Sequence, residues 1–320
     1  MTAPFFIQRQ HVAVKVEGTE GTDSVPADAD VIAPAFDVEW TPTFEVPERK
    51  PMQSSFSQLQ RIAGERSAQI TFATELKGSG AAGTAPTNLS APFLACGLGE
   101  TIVGGISVTY APASQGTSTF TVETREGSTD GTVKIKKIVG ARGTFVLEHT
   151  KGERVMVLFT FTGRYVEPTE GGAQFVSPAI AAVPEPFLNV SLSFQSVATL
   201  LIQALTVDLG NTVVLRNDVN EATGNFSAAI TNRIMVGTID PEETDLATIN
   251  FWNQLTTNAE GSLTYTLGAS AGNITTVTLP KTQITNAGQA DRDGIRIVPL
   301  DLSFNQNVVA GDDEISIAFT

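Results

Sequence analysis

Short stretches of alternating apolar and polar residues dominate this chain, and Gly, Pro, Asn and Asp separate them. Such alternation places successive side chains on opposite faces and is typical of β-strands. One stretch carries apolar residues at every second position, namely Val155, Val157, Phe159 and Phe161. Asp130-Gly131 lies between two alternating stretches and predicts a tight hairpin turn. The pattern as a whole predicts a mainly β fold.

Two stretches favour short helices instead. The first lies near Ser90 to Cys96. The second begins at Asp240, which can cap a first turn, and Pro241 suits the position that follows. A stripe of apolar residues then recurs at helical spacing, and it comprises Leu246, Ile249, Phe251 or Trp252, and Leu255. We expect one short helix in each half of the chain.

The two halves carry similar short sequences in the same order. Ser67–Thr71 resembles Ser227–Thr231, and Ser107–Tyr110 resembles Ser262–Tyr265. Two further pairs complete the series, 38–43 with 207–212 and 152–161 with 294–304. In chain order the offsets are 169, 160, 155 and 142 residues, a steady decrease that favours a duplicated unit with shortened loops. The alternative is one large β domain with unrelated hairpins.

The duplication predicts two tandem β-sandwich or barrel units, each with a short flanking helix. The first unit covers residues 1–166, with an N-terminal arm and a long irregular segment at 45–65. Residues 167–190, rich in Gly, Ala, Pro and Glu, form the predicted linker, and residues 191–320 form the second unit. Irregular segments as long as 45–65 are usually functional or disordered.

Composition limits what this protein binds. The formal net charge is −14 at pH 7, which disfavours nucleic-acid binding because phosphate contacts need clustered Lys and Arg. The sequence has no run of 18 apolar residues, so no membrane-spanning helix is expected. The first residues lack the pattern of a signal peptide, and a single cysteine, Cys96, excludes an intramolecular disulfide. We therefore expect a cytosolic origin.

Few residues offer catalytic chemistry. Gly268–Gly272 matches the nucleophile-elbow pattern around Ser270, but a strand pattern follows where an elbow would open a helix. Gly78–Gly83 matches a dinucleotide fingerprint, yet a proline-containing stretch follows it instead of a helix. The chain has two histidines, His11 and His149. We expect a hairpin turn and a flexible loop at the two glycine-rich motifs, and no catalytic residue, cofactor or metal site.

Six stretches of the sequence are informative when they are taken together and in order. They are Val12–Asp23, Glu75–Pro86, Ala95–Thr101, Val139–Thr144, Phe159–Tyr165 and Val207–Arg216. Taken together, they resemble the tail tube (major tail) proteins of long-tailed, non-contractile, siphovirus-like phages. Each stretch is short, and the resemblance rests on their number and order over most of the chain.

The resemblance implies a structural virion protein without enzymatic activity. It implies β units that assemble into rings sharing one inner β-barrel, and rings that stack into a hollow tail tube conducting DNA into the host. Simple members of the family carry one unit and form hexamers, so two units in this chain favour a homotrimer with a pseudo-hexameric ring. Three copies would carry a formal charge of about −40, which would repel phosphates from the wall.

The same resemblance implies the partners and the location. The chain would associate with further copies of itself and with other tail proteins, namely the tape measure inside the tube, the tail terminator and the distal tail protein. DNA would pass through the lumen without specific binding, and no membrane is involved. The protein would assemble in the host cytoplasm and lie in the virion tail.

Two sets of residues are candidates for assembly under this interpretation. Contacts with the next ring are expected from the N-terminal arm and from segment 45–65, with Arg49, Lys50, Gln53, Phe56 and Arg61. The inner barrel is expected from the stretches 67–77, 152–163, 225–236 and 294–304. Its representative residues are Ile70, Phe72, Val155, Val157, Phe159, Ile230, Ile295 and Ile297.

Two other functions stay open from the sequence alone. A monomeric β-sandwich binding module, such as an adhesin or carbohydrate-binding domain, would use exposed aromatic residues such as Trp40, Tyr110 or Tyr265. The aromatic content of 7% weakens this alternative. A hydrolase on a β scaffold would depend on Ser270 and His149, and the scarcity of histidine weakens it.

Overall fold

The structure is a computed structural model that describes residues 3–180 and 182–320. It is mainly β, which confirms the fold class that the alternating pattern predicts. The strands of the first half are β1 (Phe5–Val16), β2 (Ala35–Phe44), β3 (Arg66–Glu75), β4 (Leu98–Val103), β5 (Ser107–Pro112), β6 (Phe120–Ser128), β7 (Val133–Thr150), β8 (Met156–Tyr165) and β9 (Thr169–Glu170).

The second half contributes shorter strands. They are β10 (Ser191–Phe194), β11 (Ala204–Asp208), β12 (Asn211–Asn217), β13 (Asn225–Arg233), β14 (Val236–Ile239), β15 (Glu260–Leu267), β16 (Thr275–Ala287), β17 (Ala290–Arg292), β18 (Ile295–Ile297), β19 (Leu300–Phe304) and β20 (Ser316–Phe319). The helical elements are α1 (Ser90–Ala95), α2 (Phe251–Thr257) and a 3-10 turn at Asp28–Asp30.

One large antiparallel sheet connects both halves. Its main path runs in the order β2-β3-β8-β7-β11-β14-β19-β16-β20-β5-β4. Strands β1 and β6 extend from β7, and β10 and β15 extend from β16. The hairpins β12–β13 and β17–β18 form separate two-stranded sheets. Strands of the two halves pair at two places in this sheet, β7 with β11 and β5 with β20.

Aromatic side chains fill the core of the first half. Phe159 and Phe161 of β8 are buried, and their rings stack with centroids 5.7 Å apart. Phe93 from α1 packs on Phe145 of β7 at 5.0 Å and on Phe159 at 5.7 Å. Aromatic pairs at these distances add stabilisation beyond the burial of their area. The inward face of β8 therefore anchors α1 to the sheet.

The predictions of the first helix and of two hairpin turns are confirmed. Helix α1 occupies Ser90–Ala95, inside the predicted stretch. Asp130-Gly131 forms the turn between β6 and β7, and the glycine-rich stretch at 268–272 joins β15 to β16 as a hairpin turn. The loop at 78–83 packs on that hairpin turn, since a Cβ on Gly78 would lie only 2.1 Å from the Gly272 carbonyl oxygen. Both glycine-rich motifs thus serve close backbone packing.

The predicted start of the second helix is wrong. Helix α2 begins at Phe251, and the side chain of Asn250 caps it by accepting the backbone N–H of Asn253 at 2.9 Å. The carboxylate of Asp240 is engaged elsewhere, because it accepts the backbone N–H groups of Gln203 and Ala204 at 2.9 and 2.8 Å. The contact with the start of β11 thus prevails over the local capping signal.

Candidate assembly surfaces

The main path of the large sheet leaves backbone edges without a partner strand. Among the described residues, β2 pairs on one side only, with β3. At the far end of β16, residues 284–287 pair with β19 on one side, while β15 has already ended its pairing at Gln283. Unpaired strand edges present free N–H and C=O groups to another chain. These two edges are open among the described residues, as is the outer edge of β4 at the other end of the path, which pairs only with β5.

The two halves meet at a junction between β7 and β11, in addition to the pairing of β5 with β20. β11 pairs antiparallel with the C-terminal end of β7, from Asp208 opposite Val146 to Ala204 opposite Thr150. β7 is 18 residues long and extends past its partner β6, which leaves this end free to receive β11. The halves are thus joined through backbone pairing as well as through side chains.

His149 fills the centre of this junction. Its ring is 1% exposed, and its Nδ1–H donates to the Leu205 carbonyl at 2.9 Å. Nε2 accepts the hydroxyl of Tyr265, at 2.6 Å, and the ring also packs against Phe187 of the connecting segment. Burial lowers the pKa of His149 to about 4, so the ring is neutral at pH 7. Residues from both halves therefore converge on one buried imidazole.

The segment 45–65 emerges from the β2–β3 hairpin without helix or strand. The backbone is closed at its base, where Glu45 N–H donates to the Glu65 carbonyl at 2.9 Å. Beyond this base Met52 and Phe56 are fully exposed, and Ile62 is more than half exposed. Exposed apolar side chains grouped in this way mark interaction surfaces.

The polar candidates in segment 45–65 contact other residues of the same segment. Lys50 and Arg61 both pair with Glu48, at 2.6 and 2.8 Å. The guanidinium of Arg49 donates to the Gln60 carbonyl at 3.3 Å, and the amide of Gln53 donates to a backbone carbonyl four residues later. Exposed pairs such as these contribute little to stability. The polar contacts of Arg49, Lys50, Gln53 and Arg61 thus stay within the segment, and the side chain of Phe56 is fully exposed.

The inner-barrel candidates fall in different sheets. Ile70 and Phe72 of β3, Val157 and Phe159 of β8, and Val155 just before β8 are all buried. Their side chains point to the core, and the alternating residues face the other side. Ile230 lies in the separate β12–β13 hairpin, and Ile295 and Ile297 lie in β18, which pairs with β17. Of the inner-barrel candidates, only those in β3, in β8 or just before β8 belong to the large sheet.

Two rows of side chains on the face of the large sheet opposite the core are polar and contain acidic residues. Directly opposite residues on five neighbouring strands form one row, Glu148, Thr206, Thr238, Asp301 and Asn286. A second row crosses β2, β3, β8 and β7, and consists of Glu39, Thr71, Thr160 and Thr144. These rows hold three carboxylates, several hydroxyls and no cation. Sequence reasoning missed them because the rows depend on strand register.

The residues of the two alternative functions are not arranged for those functions. Tyr110 and Tyr265 are fully buried, and half-buried Trp40 packs against Tyr165, so none of them forms an open aromatic platform. Both ring nitrogens of His149 are engaged in the junction. The described residues contain no cluster of three or more His, Cys, Asp or Glu that could hold a metal ion. Within the same residues, no helix is long and apolar enough to cross a membrane.

Comparison with known families gives one match. Residues 7–317 match the sequence model of a family described as "Phage tail tube protein". The match spans both halves of the chain, including segment 45–65, the junction and the two open sheet edges. No curated protein matches the chain.

Proposed function

Because this chain belongs to the phage tail tube protein family, as a structural protein of the virion tail, we propose that its copies form rings, and that these rings stack into the hollow tube through which DNA enters the host. The observation that carries this proposal is the large sheet, whose open edges include the outer side of β2 and the end of β16. Pairing these two edges between neighbouring copies in a ring removes both of them at once. Association with the tape measure, terminator and distal tail proteins belongs to the same proposal, as does assembly in the host cytoplasm.

The polar rows suit the wall of a DNA channel. A DNA duplex is a dense array of phosphates, and it binds wherever Lys and Arg side chains neutralise them. Carboxylates such as Glu148 and Asp301 repel phosphates, and threonine hydroxyls carry no charge. A wall of this kind lets DNA slide without binding at fixed positions. We assign the face opposite the core to the lumen.

Repeated strand pairing supports two tandem units in the chain, residues 1–166 and 191–320 with a linker at 167–190. In the first half the order is β2-β3-β8-β7, and in the second it is β11-β14-β19-β16. The lateral strands repeat as well, since β6 and β1 extend from β7 as β15 and β10 extend from β16. Two such units per chain favour three chains per pseudo-sixfold ring.

Segment 45–65 is assigned to the contact between stacked rings. It is irregular and apolar at its tip, and its base is closed by backbone bonds, so its removal leaves the hairpin intact. Deleting residues 48–60 should preserve the circular dichroism spectrum and the unfolding temperature but stop tube growth. A matched control is Val309→Ser, which removes another fully exposed apolar side chain outside the segment.

Negative-stain electron microscopy of the purified protein tests the ring and the contact together. We expect hollow rings or tubes for the wild type and for the Val309→Ser control, and threefold symmetry in views along the axis. Tubes of normal length from the deletion variant would contradict the role of segment 45–65. A wild type that stays monomeric at high concentration, even when seeded with short tail tubes, would contradict the ring.

A further inference from the structure

The junction between the two halves is a template for a contact between chains. It joins the end of a long strand in one unit to the first strand of the next unit's hairpin. Its register is fixed, with Val207 opposite Leu147 and Asp208 opposite Val146. Because the proposed ring consists of similar units, each boundary between chains should repeat this geometry.

β2 holds in the first unit the place that β11 holds in the second. Each pairs with the returning strand of its hairpin, β3 or β14, and that strand pairs in turn with β8 or β19. The side chains match as well. Val38 packs against the core and Glu39 is exposed, as Val207 is buried and Asp208 faces away from the core. The outer edge of β2 is therefore the counterpart of the edge through which β11 pairs with β7.

The end of β16 holds the place of the end of β7. Ala287 pairs with buried Leu300 of β19, as Leu147 pairs with a buried residue of β8. Asn286, one residue earlier in β16, therefore corresponds to Val146 of β7. The outer edge of residues 284–287 has no partner strand within the described residues, whereas the corresponding edge of β7 is covered by β11.

We infer that β2 of one copy pairs antiparallel with the last residues of β16 in the next copy, an inference that rests on the proposed ring. Transfer of the internal register places Val38 opposite Ala287 and Glu39 opposite Asn286. The partner that fits this edge is thus a second copy of this chain. We call this contact, which centres on Val38 and Glu39 of β2 and on Asn286 and Ala287 of β16, the seam.

Two local features of β2 limit the seam to a short stretch. Pro42 has no N–H group to donate, so pairing cannot continue past it on a side that needs this donor. The internal junction likewise ends at Asp208, before the chain turns away into β12. A bulge between Phe36 and Glu39 twists the free edge, and such distortions protect an edge from unspecific pairing.

The seam also continues the polar rows from one chain to the next. Asn286 ends the row that contains Glu148 and Asp301, and Glu39 begins the row that crosses β2 and β3. Placing Glu39 opposite Asn286 joins an amide donor to a carboxylate acceptor and brings no like charges into contact. The assigned register thus extends the uncharged and acidic wall without a break.

Cysteine cross-linking measures the register directly. Directly opposite residues of antiparallel strands bring their Cβ atoms within reach of a disulfide, whereas residues displaced by two positions lie too far apart. The double variant Glu39→Cys with Asn286→Cys should form disulfides between chains in assembled tubes, about tenfold more than the displaced pair Thr41→Cys with Asn286→Cys. Native Cys96 is buried and stays out of the reaction.

Non-reducing gels of oxidised tubes should show a ladder that ends at the number of chains in one ring, and each single variant should lack it. If the exposed pair prevents assembly, Val38→Cys with Ala287→Cys gives the same test from the core side. Tubes that form but cross-link best in the displaced register would overturn the seam and leave the ring standing. A wild type that forms no rings would contradict both the proposed ring and the seam.

Discussion

His149 should make the stability of this protein depend on pH in a way that one substitution removes. In the folded protein its Nε2 accepts from Tyr265 while its Nδ1–H donates to Leu205. Protonation would place a hydrogen on the accepting nitrogen and break that arrangement. Burial is the main cause of the lowered pKa of about 4. The folded state therefore holds the neutral ring well below neutral pH.

The sign and the magnitude follow from the two pKa values. The ring titrates near 6.5 in the unfolded chain, so below that pH the unfolded state binds a proton that the folded state does not. The contribution to stability is fully present above pH 6.5 and is lost as the pH falls toward the folded pKa. The complete loss corresponds to about 3 kcal/mol, and roughly 2 kcal/mol of it falls between pH 7 and pH 5.

His149→Gln replaces the ring with a neutral side chain that can still make one of the two hydrogen bonds. We expect it to lower the free energy of unfolding at pH 7 by about 1 to 2 kcal/mol, because one buried group loses its partner. Between pH 7 and pH 5 the variant should then lose about 2 kcal/mol less than the wild type. Denaturant unfolding of dilute, unassembled protein at both pH values measures this difference.

The comparison with the wild type isolates His149, since the carboxylates titrate in both proteins. Tyr265→Phe is the matched control, because it removes one hydroxyl from the same junction and keeps the buried imidazole. This control should retain the pH dependence of the wild type. An equal loss between pH 7 and pH 5 in the wild type and in His149→Gln would refute the reasoning.

Two further outcomes are expected. The buried carboxylate of Glu17 accepts the backbone N–H groups of Gly21 and Gly140 at 2.8 and 2.7 Å. Glu17→Ala should therefore lower the free energy of unfolding by about 3 kcal/mol, as measured by thermal or denaturant unfolding. A loss near zero would mean that water replaces the carboxylate. Burial raises the pKa of the Cys96 thiol, so a thiol reagent should label it only after unfolding, and fast labelling of the native protein would contradict its burial.

The sequence could predict the strands and hairpin turns because they depend on local spacing. The alternation from Val155 to Phe161 corresponds to β8, and Asp130-Gly131 lies at the turn that it predicts. The sequence also predicts helix α1 at its observed position. These elements are specified by residues within a few positions of one another, so no knowledge of the rest of the chain is needed.

Tertiary contacts decided the elements that the sequence could not place. Asp240 has the character of a helix cap, but two backbone N–H groups at the start of β11 occupy its carboxylate. In the repeat, Ser227–Thr231 lies in β13, whereas β14 is the strand that pairs with β19 as β3 pairs with β8. Bulges shift the pairing of strands by one residue, and sequence offsets do not reveal where they fall.

The candidate surfaces likewise divide into features that local sequence predicts and features that depend on residues distant in sequence. Segment 45–65 was recognisable from its length and prolines, and it is irregular in the structure. The polar rows and the free edges were not recognisable, because each row joins residues from four or five strands that are distant in sequence. His149 carried no sequence signal for its role either, since Leu205, Tyr265 and Phe187 come from separate parts of the chain.

The covalent link between β7 and β11 changes how a tube grows. Two units on one chain meet at the effective concentration set by their linker, which for short flexible connections reaches the millimolar range. In the proposed six-unit ring, every second junction is then complete before any two chains collide. Three chains also lose the translational and rotational freedom of three bodies rather than six. The proposed ring therefore needs three junctions between chains, whereas a ring of six single-unit chains needs six.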